Sequence, residues 1–148
     1  MREKLKEIVA KAAADPATQP DLTLLYERGH ALSGTVRLEL GPQGHYTLAS
    51  NVTAGRQPGT WHGVLTPAQG RALFGAASQG LLDTPDSARN IGDDEEPVFV
   101  TLRDGALAHK LTLWHGDAAG APGFIAFERA LVGLLKELSG GAILASAA

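Results

Sequence analysis

The stretch "GTVRLELGPQGHYTLASN", residues 34–51, changes character with every residue. Val36, Leu38 and Leu40 alternate with Thr35, Arg37 and Glu39, the two-residue period of a strand with one face on a core and the other in water. Pro42-Gln43-Gly44 reads as a three-residue hairpin loop, with proline at the first turn position and glycine at the left-handed one. A loop of that length sets Leu40 opposite Tyr46 and Leu38 opposite Leu48, so both strands present their apolar side chains to one face. A chain containing this hairpin must cover one side of an antiparallel sheet.

The rest of the pattern supplies both sheet and cover. "LTLLYERG" from Leu22 reads as a strand before the hairpin, and "TWHGVL" as a short strand after it. Thr66-Pro67-Ala68-Gln69 has capping-box spacing with proline at the first helical position, and Leu73, Phe74, Ala77 and Leu81 form the apolar stripe of the helix that follows. "VFVTLRDGALAHKLTLW" is a second hairpin around Asp104-Gly105, read as a type I′ turn. That turn sets Leu102 opposite Leu107, Val100 opposite His109 and Val98 opposite Leu111. His109 then lies on the apolar face as a core histidine near an edge. Phe124, Phe127, Leu131, Leu134 and Leu138 recur at helical spacing up to Ser139-Gly140-Gly141. Residues 2–14 form a short amphipathic helix with Leu5, Ile8, Val9 and Ala12 on one stripe, ended by the prolines of "ADPATQPD".

Strands that pair locally, with helices covering one face, define an α+β two-layer sandwich with a largely antiparallel sheet of about six strands, two covering helices and a short N-terminal helix. The expected division is an N-terminal helix and linker over 1–20, one α+β domain over 21–141 and a tail over 142–148.

Composition narrows the chemistry. The 148-residue chain has no cysteine, which excludes disulfides, a thiolate nucleophile and cysteine-based metal sites. Net charge is -3 with basic residues scattered, so no basic stripe points to nucleic acid. No apolar run reaches membrane-spanning length, and Lys4, Lys6, Glu7 and Lys11 interrupt what would be the apolar part of a signal peptide. The expectation is a cytoplasmic protein with no cofactor. Neither a P-loop nor G-x-S-x-G or S-x-x-K occurs.

One motif repeats. Trp61-His62-Gly63 and Trp114-His115-Gly116 are each followed at the same spacing by Gly-Leu-Leu, at residues 80–82 and 133–135. Strand, strand, WHG and helix in both halves is the order a duplicated unit produces, although little else is identical. His62, His115 and Asp117 are the candidate metal or acid/base set. Their spacing matches no recognised ligand signature, so the expectation is a structural joint used twice, with tryptophan at a sheet–helix junction, glycine at the turn and imidazoles with no shared ligand; the metal or acid/base set is the alternative.

The segments "LLYERGHALSG" and "DDEEPVFVTLRDGALAHKLTLWHGDAAGAP", with the Phe/Leu-rich last helix, resemble emfourin-type proteinaceous protease inhibitors and related small bacterial domains across residues 22–138. The shared parts are an Arg-Gly strand end, an acidic residue before a V-x-V-like hairpin, and a closing helix that begins near proline. One glycine follows Arg28 where that family tends to have a pair, and the hairpin over 36–60 is longer. The resemblance implies a protease inhibitor and carries over no functional residues.

The expected function is non-catalytic protein–protein interaction, through loops over 29–34, 51–59 and 83–97 held on a rigid scaffold. Arg28, His30, Arg56, Asp93, Asp94, Glu95 and Glu96 are the candidate contact residues. The partner is another protein, and a homodimer through a sheet edge or the N-terminal helix is a further expectation. Protease inhibition, and a small metal-dependent hydrolase using His62, His115 and Asp117, are the alternatives.

Overall fold

The computed structural model describes residues 2–30, 34–51, 58–87 and 96–143, with the backbone alone for His30 and Ala119. The elements are α1 (Arg2–Ala14), β1 (Leu22–His30), β2 (Gly34–Leu40), β3 (His45–Ser50), β4 (Gly59–Val64), α2 (Pro67–Ala77), β5 (Pro97–Asp104), β6 (Leu107–Trp114) and α3 (Pro122–Leu138). Short 3-10 turns occupy Pro16–Thr18, Pro42–Gly44, Leu81–Asp83 and His115–Gly120.

The strands form one fully antiparallel sheet in the order β4-β3-β2-β1-β5-β6. Four hairpins, β1–β2, β2–β3, β3–β4 and β5–β6, account for most of it. The chain then leaves the β4 edge, runs through α2, and returns to pair β5 with the free side of β1. Alternation decides the layers: Leu24, Tyr26, Leu38, Leu48, Val100 and Leu111 are buried on one face, whereas Thr35, Arg37, Glu39 and Arg103 on the other meet solvent. Leu5 and Val9 of α1, Leu73 of α2, and Phe124, Phe127 and Leu131 of α3 join the same hydrophobic core. The sheet therefore has one covered and one wet face, as an antiparallel sheet can.

The first hairpin has the expected register, Leu40 with Tyr46 and Leu38 with Leu48. The second is shifted by two residues: Val100 pairs with Leu111, Leu102 with His109 and Asp104 with Leu107. Asp104 remains in its strand and Gly105-Ala106 makes the turn, with positive φ (58°) at Gly105 alone. That is the pattern of a type II′ turn, which needs glycine only at its first central position, so type I′ is corrected. A shift of two leaves every side chain on its original face.

His109 therefore lies on the covered face as expected, opposite Leu102 instead of Val100. Its Nε2 is buried with no hydrogen-bond partner among the described residues. Burial pushes the imidazole below its ordinary range; Arg2 adds to the shift, while Asp86 and Asp83 oppose it. A pKa lowered by folding makes protonation favour the unfolded chain. The contribution is intact above the ordinary histidine value, about 6.5, and is lost as pH falls through the folded value. Urea midpoints measured at pH 7.5 and pH 5 should fall more steeply for the wild type than for His109→Leu. Equal slopes would show that this histidine is not the source.

The first helix and the chain after α3 both join the core. α1 docks on the domain: its apolar stripe is buried and it packs on α2, with Lys6 Nζ 2.7 Å from Asp83 beyond that helix. At the other end, α3 closes with paired bonds from Gly141 N–H to the Lys136 carbonyl (2.8 Å) and from Gly140 N–H to that of Glu137 (3.2 Å), a Schellman motif. This turns the chain back so that Ile143 is fully buried. The expected tail at 142–148 thus begins inside the core, and residues 144–148 lie outside the described residues.

Candidate functional site

The ends of the strands define a place. β1 ends at His30, β2 begins at Gly34, β3 ends at Ser50, β4 begins at Gly59, β5 begins at Pro97 and β6 ends at Trp114. Antiparallel pairing puts all six at one end of the sheet. The three connections expected to carry function leave from that end. Arg56, Asp93, Asp94 and Glu95 lie outside the described residues, as does the side chain of His30.

Arg28 stands at this end of β1, on the covered face two residues beyond Tyr26, opposite Val36 and Val98. Its side chain keeps only 10% exposure. Arg28 Nε donates to Glu96 Oε2 at 3.1 Å, and Nη1 lies 3.8 Å from Glu128 Oε2 of α3. The other Glu128 oxygen, Oε1, is 3.7 Å from His115 Nε2, and the His115 backbone N–H donates to the Glu96 carbonyl at 2.9 Å. One guanidinium is thus held by the residue preceding β5 and by the covering helix, with the turn after β6 closing the ring. Three expected candidates, Arg28, Glu96 and His115, are brought together.

Tyr26 lies beneath this network, fully buried. Its hydroxyl, Arg28 Nη1 and Glu128 Oε2 are buried without a partner of hydrogen-bonding geometry among the described residues. Burial pushes the phenol far above its usual range; Glu128 and Glu96 add to this, and Arg28 opposes it. Tyr26 therefore stays a neutral phenol at every physiological pH.

Tyr26 and Glu128 were missed from sequence, though both left a trace. Tyr26 shares the parity of Leu22 and Leu24. Glu128 lies four residues after Phe124 and next to Phe127, a charge set into the apolar stripe of α3.

The WHG repeat separates into two unlike places. Trp61 is inside β4, its indole folded over Gly59, and His62 is exposed on the open face. Trp114 ends β6 and leads into a 3-10 turn. Only Trp114 stands at a junction, so the expected joint is used once. β4 and β6 are opposite edges of the sheet, and His62 is not brought to His115. The Gly-Leu-Leu pair diverges as well. Gly80, at φ 123°, contacts Gly123 closely where α2 meets the start of α3, whereas Gly133 lies within α3 and faces open space.

Asp117 has a local role. Its Oδ2 accepts from Ser87 Oγ at 2.6 Å, and that oxygen accepts from the Trp114 N–H at 2.9 Å. Ser87 N–H reaches the Thr112 carbonyl at 3.0 Å, and Thr112 N–H reaches Asp86 Oδ1 at 2.9 Å. Residues 86–87 therefore cover the outer side of β6 at Thr112 and Trp114, protecting an edge that could otherwise pair with another chain. Among the described residues, no three histidine, aspartate or glutamate side chains are grouped so as to hold a metal ion. No described helix is long and apolar enough to cross a membrane.

A scan against protein-family models finds no match for this chain, and a search of the curated proteins finds none.

Proposed function

We propose that the chain is a protein-interaction domain whose recognition surface is the end of the sheet from which residues 31–33, 52–57 and 88–95 depart. One observation carries this reading: all three connections are anchored at the same end, over the Arg28–Glu96–Glu128–His115 network. A scaffold fixed by ion pairs at its rim suits recognition by loops, because the strands and the helix that carry them are already held in place before the partner arrives. The reading involves no bond-breaking step. A protease is one class of partner it accommodates, in keeping with the inhibitor resemblance. A hydrolase built on His62, His115 and Asp117 has no such support, since His62 and His115 occupy opposite edges.

The test is quantitative affinity capture from the native cell with three baits: wild type, Arg56→Ala/Asp93→Ala/Asp94→Ala/Glu95→Ala, and Arg103→Ala at the far end of β5. A partner retained by the first and third and reduced at least about tenfold by the second supports the proposal. No stoichiometric partner, or one captured equally by all three, overturns it.

A further inference from the structure

A second feature lies at the other end of the sheet. A cleft of about 400 Å³ opens between the Pro16–Thr18 turn, the Pro42–Gly44 turn and the start of α2. This volume falls within the ~300–1,000 Å³ typical of small-molecule sites. Leu22, Leu40, Leu65 and Phe74 line it with apolar surface, and Asp15, Gln19 and Gln43 add polar groups. The walls are tied together. Gln43 N–H donates to the Pro20 carbonyl at 2.8 Å, and Leu65 N–H donates to that of Gly44 at 2.9 Å.

Two details set this cleft apart from a surface dent. Gln43 has a φ of 59°, the one positive value at a non-glycine position among the described residues. A side chain other than glycine, asparagine or aspartate in that conformation is disfavoured, and such residues cluster at ligand sites. Asp15 is the one charged residue among the described residues lining the cleft. Its Oδ1 accepts from the Ala17 N–H at 3.1 Å as the cap of the Pro16–Thr18 turn, which fixes the carboxylate's direction.

We infer that this cleft binds a small amphipathic cation, an alkylammonium or an amine with an apolar body, seated on Leu22, Leu40, Leu65 and Phe74 with its charged head at Asp15. The apolar lining selects the body, and a single carboxylate selects the sign of the head. The site is independent of the recognition surface proposed above and stands at the opposite end of the sheet.

The test uses n-octylammonium, with 1-octanol and n-octanoate as neutral and anionic counterparts of the same length, followed by methyl NMR of the full chain. Asp15→Asn is the informative variant, because asparagine retains the capping acceptor and removes only the charge. Octylammonium should shift the methyls of Leu22, Leu40 and Leu65 and leave core methyls such as Leu131 in place. Binding should weaken about fivefold in Asp15→Asn and for octanol against the wild type, the size of a solvent-exposed ion pair. Octanoate should bind most weakly. Absence of shifts at these methyls, octanoate binding as tightly as octylammonium, or indifference to Asp15→Asn would each overturn the inference.

Discussion

Leu5→Ala is expected to lower the stability of the whole domain by about 3 kcal/mol, within the 2–5 kcal/mol usual for a leucine truncated in a packed core. For a chain of this size that is a fall of roughly 6–12 °C in Tm. Leu5 is fully buried although it stands near the start of the chain, in a helix whose other apolar residues, Ile8, Val9 and Ala12, are buried with it. They pack on α2 and against β6, and belong to the same hydrophobic core as the buried face of the sheet. Both tryptophans lie in sheet strands, in β4 and at the end of β6, and so report on the sheet and not on α1. Urea unfolding followed by tryptophan fluorescence should show one transition moved to lower denaturant. An unchanged tryptophan midpoint, with loss of helical signal alone, would mean that α1 folds as a separate appendage.

The second large effect belongs to Arg28. Removing one partner of a buried ion pair costs about 3–5 kcal/mol because the other charge is left desolvated. Arg28 and Glu128 keep 10% and 17% of their side-chain exposure, and Glu96 keeps 28%, so some solvent screening remains. Arg28→Met should therefore destabilise by about 2–3 kcal/mol. The methionine retains the apolar bulk of the stem, which isolates the charge. Glu128→Gln in the Arg28→Met background should recover at least half of that loss, since it removes the stranded carboxylate. Denaturation curves of the wild type, both single variants and the double variant complete the cycle. If Arg28→Met matches the wild type, the network is solvated and is not what fixes this end of the sheet.

What could be read from the sequence and what could not divide along one line. The first hairpin was legible to the residue because a proline and a glycine at fixed spacing leave little choice of loop, and the loop sets the register. The capping box at Thr66 was legible for a similar reason: Thr66 and Gln69 exchange their bonds within four residues. The second hairpin failed locally. Asp104-Gly105 and Gly105-Ala106 are both acceptable turns, and nothing near them distinguishes the two registers. The WHG repeat failed differently. Identical tripeptides suggest one joint used twice, but a tripeptide carries no information about where its strand lies in the sheet.

The α+β class, the alternation that gives the sheet a dry and a wet face, the apolar stripes of three helices and most element boundaries are all legible in the order of residues alone. These follow from backbone periodicity and turn chemistry, which act over a few residues. Long-range packing is what sets α1 in the core, returns β5 to β1, and brings Arg28, Glu96, His115 and Glu128 together at one end. The strand order and the helix packing set those juxtapositions, across separations of up to 100 residues between Arg28 and Glu128. Burial then fixes their energetics, since desolvation makes each charge depend on partners that the local chain cannot specify.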